Sequence, residues 1–97
     1  MKLDDKIRVK KLFYLFTREP SVAFELALLY FIQAKRKTAQ DKILDICRRS
    51  IYWLKKAGSS IPEHLNQLSP FGQLEQIEKA LVRACPDRNI GTLVLLS

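Results

Sequence analysis

The eleven positions from Val22 to Ile32 are apolar except for one carboxylate, Glu25. In helical register Val22, Phe24, Leu26, Leu28, Leu29, Phe31 and Ile32 point in every direction around the axis. A helix with no polar face has to be enclosed, so the segment from about Ser21 to Arg36 is expected to be the central helix of the fold. Ala23, Ala27 and Ala34 recur on one side of it, at spacings of four and seven, and would let a neighbouring helix come close. The run would span roughly 17 Å as a helix, about half the hydrocarbon thickness of a bilayer, so it reads as a core helix and not a membrane span. Glu25 falls near the positive end of the helix dipole, and Lys35, Arg36 and Lys37 fall near the negative end. Roughly two turns separate them, so a partner for Glu25 has to come from another helix or subunit.

A central helix this apolar is demanding for a chain of 97 residues, which is small for enclosing a core alone. The balance of 47% hydrophobic and 28% charged residues, with 3 Gly and 4 Pro, is that of a folded chain. The surplus of apolar surface favours a homodimer or a stable protein partner. Phe24, Leu28, Phe31 and Ile32 are the candidate interface on the second helix, with Leu93, Val94, Leu95 and Leu96 on the C-terminal tail. That tail, residues 90–97, reads as an extended apolar segment that pairs as a strand or docks along a partner.

The remaining helices follow from periodicity. Val9, Leu12, Phe13 and Phe16 recur at i, i+3, i+4 and i+7, predicting a first helix with that stripe inward and Lys6, Arg8, Lys10 and Lys11 around it. Pro20 separates it from the second. Thr38, with Asp41 three residues on, is an approximate capping signal for a third helix whose inner face is Ile43, Ile46, Cys47, Ser50, Ile51 and Leu54. Gly58 is suited to a left-handed C-terminal cap. Ser60 and Glu63 resemble a capping box for a short helix, with Ile61, Leu65 and Leu68 inward. Ser69 and Pro70 then open a last helix, with Leu74, Ile77, Leu81 and Ala84 inward and Glu75, Lys79 and Arg83 as an ion ladder outside. The fold class is therefore all-α: one helical domain over 1–97, with four main helices, one short helix and an extended tail.

The formal charge of +7 draws polyanions electrostatically. Arg48, Arg49, Tyr52, Lys55 and Lys56 share the outer face of the third helix, where cations can neutralise phosphates and a ring can stack on a base. Lys35, Arg36 and Lys37 are candidate additions. The bland reading is a solvated face, because acids in the first turns and bases in the last suit any helix dipole, and Asp45 can pair with Arg48 or Arg49. A helix-turn-helix through "AGSS" is disfavoured: the helix after it carries His64, Asn66 and Gln67 and no Arg or Lys. The first helix has the pattern of a membrane-surface helix, but a bundle-edge helix shares it, and the bundle reading is preferred.

Chemistry is sparse. His64 is the sole histidine, and no acid sits at relay spacing from it. Two cysteines, Cys47 and Cys85, cannot make a disulfide scaffold or a four-ligand zinc site, and read as structural thiols in a reduced, cytoplasmic setting. Asp4 and Asp5 stand where a targeting peptide avoids acids, so the start reads as mature protein. No phosphate loop, metal-ligand cluster or cofactor motif is visible. The expected function is that of a small non-catalytic adaptor or regulator, acting through a helical protein–protein interface as a homodimer. The alternative is a basic nucleic-acid-binding regulator using the third helix.

Overall fold

In a computed structural model, residues 2–84 are described, and they form four α-helices and a 3-10 turn with no strand among them. The helices are α1 (Leu3–Thr17), α2 (Pro20–Lys35), α3 (Gln40–Lys56) and α4 (Pro70–Ala84), with the 3-10 turn at Glu63–Gln67 between the last two. The described part is thus all-helical, as the periodicity predicts. The strand expected within 90–97, and Leu93, Val94, Leu95 and Leu96 with it, lie outside the described residues.

Local chemistry sets the boundaries. Arg18 takes a left-handed conformation (φ 55°) that ends α1, its N–H donating to the Tyr14 carbonyl at 2.7 Å. Glu19 is extended, as a residue before proline prefers, and Pro20 is the first residue of α2. Gly58 (φ 84°) supplies the expected left-handed turn after α3, and the Ser59 N–H reaches back to the Leu54 carbonyl at 3.0 Å. Ser69 caps α4, accepting from the Gly72 N–H at 3.2 Å.

Two expected caps are absent. α3 is preceded by Ala39, with no side-chain cap, so Thr38 sits one residue too early to accept from the first turn. Ser60 does not cap the short helix either. Pro62 precedes that helix, and it closes as a single 3-10 turn.

The core is organised around α2. Ala23, Leu26, Ala27 and Ala34 are fully buried, with Tyr30, Phe31 and Ile32 nearly so. The contact between α2 and α3 is the most extensive of the bundle, and it runs along the alanine side. Ser50 of α3 is fully enclosed there, and its hydroxyl donates to the Ala27 carbonyl at 2.8 Å. α4 packs on α3 and α2 through Leu74, Ile77, Ala80 and Leu81. Gln73 is also buried and donates to the Leu68 carbonyl at 3.1 Å, tying α4 to the 3-10 turn.

Phe24, Leu28, Phe31 and Ile32, expected at an interface, are 6%, 7%, 1% and 2% exposed. They belong to the core of this chain, and no second copy could reach them without opening the bundle. The enclosing mass comes from α1, α3 and α4.

The second correction concerns α1. Its inward residues are Leu3, Ile7 and Tyr14, not Val9, Leu12, Phe13 and Phe16. Leu3, Ile7 and Tyr14, at spacings of four and seven, form a second apolar row on the opposite side of the same helix, and one helix lying on a bundle can bury only one such row. Polar ties fix the choice. On that side Lys10 forms an ion pair with Glu25 of α2, Asp4 accepts from the Gln33 side chain, and Tyr14 meets Trp53 edge-on at 5.1 Å.

Candidate interaction surfaces

With α1 turned this way, five large apolar side chains face solvent. Val9, Leu12, Phe13 and Leu15 are between 52% and 58% exposed, and Phe16 is 87% exposed. Asp5, Val9, Leu12 and Phe16 follow i, i+4, i+7 and i+11, so they make one row that begins with a carboxylate. Phe13 and Leu15 border it. Together they present roughly 600 Å² of apolar surface, taking about 200 Å² for a fully exposed large side chain, which is the upper end of what a monomer ordinarily shows. Elsewhere among the described residues, Phe71 and Val82 of α4 and Tyr52 of α3 are exposed singly.

The cations beside this face are partly engaged. Lys10 pairs with Glu25, which answers what Glu25 meets: a cation from a neighbouring helix. The Lys11 ammonium lies 5.3 Å from the centre of the Tyr30 ring, and the Arg18 guanidinium 5.7 Å from that of Tyr14.

The basic residues singled out on α3 divide among several grooves. Arg48, Arg49 and Tyr52 line a shallow cleft of about 340 Å³ together with Lys11, Tyr30, Asp45 and Trp53. Tyr52 and Trp53 meet edge-on at 5.2 Å, and Lys56 covers the Tyr52 ring at 5.5 Å. Lys55 lines a different groove, beside Pro62, Glu63 and Asn66. Lys35, Arg36 and Lys37 are exposed at the end of α2; Lys37 faces Asp41, Lys42, Asp45 and Arg49 across a mixed-charge groove, and Lys35 lies over Phe31. Asp45 is common to the two grooves that contain Arg49 and pairs with it at 3.4 Å, which lowers the positive potential of both.

From the sequence, Lys11 reads only as a cation flanking the first helix, not as a member of the polyanion-binding set. Its membership of the α3 cleft depends on which side of α1 packs inward, and the row Leu3, Ile7 and Tyr14 was the signal of a second possible inward face.

Groups with catalytic chemistry are scattered. Cys47 is fully buried on the inner face of α3, and burial pushes its thiol up to about 11. His64 is exposed on the 3-10 turn. No group of three metal-ligating side chains occurs among the described residues, and none of the described helices is long and apolar enough to cross a membrane. Cys85 lies outside the described residues. No protein-family model matches this chain, and it has no detectable similarity to a curated protein or to a solved structure.

Proposed function

We propose that this chain is a small non-catalytic adaptor or regulatory protein that works through a helical protein–protein surface, the outward face of α1. The observation that supports the reading is the row of large apolar residues left in solvent on a helix whose other side is already packed. Burying such a face against another protein removes apolar area from water at about 25 cal/mol per Å², which makes it the strongest driving force for association on the described surface. Photo-crosslinking tests it. A benzophenone amino acid replacing Phe16 in living cells is expected to give discrete protein adducts, whereas the same group replacing Tyr52 is not. Absence of adducts from Phe16 would end this reading.

A second reading, polyanion binding, is favoured by one specific observation: the cleft that unites Lys11 with Arg48, Arg49 and Tyr52. Single-stranded nucleic acid would find phosphate partners and a ring edge there. The expected signature is salt-dependent binding to single strands whose log–log slope shrinks by about 1.4 when Lys11 and Arg48 are both changed to Gln. No binding of labelled strand or duplex at low salt would sink this second reading.

A further inference from the structure

We infer that the occupant of the α1 face is a second copy of the same chain, joined through an antiparallel pair of α1 helices; this rests on the reading of that face as a docking surface. Three features carry it. The first is area: with the face fully covered, two copies each contributing up to roughly 600 Å² would bury up to about 1,200 Å², which reaches the lower bound of a specific interface. The surface is also self-complementary in shape, because it mixes the smaller Val9 with Phe13 and Phe16 along one row. An antiparallel two-fold arrangement sets Val9 against the partner's Phe16 and brings Leu12 and Phe13 of the two copies together at the centre.

The second feature is charge along the helix. The row starts at Asp5, in the first turn of α1, and ends at Phe16, while Arg18 just past the helix is turned to the packed side over Tyr14. Reversing one helix against the other keeps the two Asp5 carboxylates at opposite ends of the interface and sets the two helix dipoles in opposition. A parallel pair would instead juxtapose Asp5 with Asp5.

The third feature weighs against an anionic lipid surface. An interfacial helix keeps its apolar face free of carboxylates and its bordering cations free to reach headgroups. Here Asp5 lies in the apolar row, Lys10 is held by Glu25, and Lys11 lies over Tyr30. The apolar row itself, from Val9 to Phe16, is only about 10 Å long.

Light scattering and sedimentation equilibrium of the full chain test the inference. Twice the chain mass is expected at micromolar concentration, and the Leu12→Glu, Phe16→Glu double variant is expected to be monomeric with an unchanged far-UV circular dichroism spectrum. Both side chains are mostly outside the core, so the fold does not depend on them. A wild-type monomer at about 100 µM, or a dimer that survives L12E/F16E, would overturn the inference. So would a wild-type monomer whose Phe16 photo-adduct lies within the same chain, or one that binds phosphatidylserine vesicles through Phe16. Adducts to a different protein from a monomeric chain would leave the docking reading standing while removing the second copy. Neither adduct nor dimer would remove both.

Discussion

Replacing Ser50 probes the buried seam between α2 and α3. Its side chain is fully buried between α3 and α2, and its hydroxyl donates to the Ala27 carbonyl at 2.8 Å. Ser50→Ala deletes one buried hydrogen bond. The Ala27 carbonyl still accepts from its own helix, so no buried group is orphaned, and the net cost is expected near 1 kcal/mol instead of the full desolvation penalty. For a domain of this size that corresponds to a fall of about 4–8 °C in Tm.

Ser50→Val removes the same bond, replaces the hydroxyl with a methyl group and adds a second methyl opposite Ala27, at a position that is fully buried. Overpacking of a close seam costs a further 1–3 kcal/mol or so, for a total of about 2–4 kcal/mol. The expected order of stability is therefore Ser, then Ala, then Val, the reverse of what apolar burial alone would give. Urea unfolding followed by circular dichroism, at one fixed protein concentration, reads the three midpoints and should leave the slope m unchanged. A Val variant as stable as the Ala variant, or more stable, would show that the helices do not meet closely at this point and would refute the reasoning.

Further outcomes follow from the same geometry. Ile7→Ala should cost about 2–4 kcal/mol by leaving a cavity beneath α1. Phe16→Ala should change monomer stability by less than about 0.5 kcal/mol, and urea titration at low protein concentration distinguishes that from the opposite ranking, which an inward Phe16 would give. The Lys10–Glu25 pair, about a third exposed on both sides, should show a coupling of only about 0.2–1 kcal/mol in a double-mutant cycle with Lys10→Met and Glu25→Gln. Cys47 makes stability depend on alkaline pH. The folded thiol holds its proton to about 11, and an unfolded one releases it near its ordinary value of 9.0. Its contribution is therefore fully present below about pH 8 and is lost as pH rises through that window, by up to about 3 kcal/mol. Cys47→Ala should flatten the fall between pH 9 and 11 measured by urea midpoints, and an equal fall in both proteins would show that the thiol is not enclosed.

Much of the fold was legible because α2 admits few solutions: a helix apolar on every side has to be central, and its alanines are fully enclosed, Ala27 where the Ser50 hydroxyl of α3 reaches its carbonyl. The stripes of α3 and α4 were readable for the same reason, each having a single apolar face against a polar remainder. α1 was misread because it carries two apolar rows, and hydrophobic periodicity alone cannot say which one is buried. Cross-helix partners decided that, and Lys10 with Glu25 or Tyr14 with Trp53 are juxtapositions that no local spacing encodes. The interaction surface inherits that ambiguity. The α2 residues expected there are core, and the exposed apolar row is on α1 instead, because the size of the core this chain can close was underestimated. The basic cluster of α3 was seen correctly as a set of outward cations, but its division among grooves, its dilution by Asp45 and its extension to Lys11 are products of packing.

The dependence of the urea midpoint on protein concentration separates an α1 face held by a second copy from one left in water. For a dimer that unfolds as it dissociates, a hundredfold increase in concentration adds about 2.7 kcal/mol per dimer to the apparent stability, so the wild-type midpoint should climb between about 1 and 100 µM. The Phe16→Glu variant should keep one midpoint across that range. A wild-type midpoint independent of concentration, or a Phe16→Glu midpoint that climbs as steeply as the wild type's, would contradict the account.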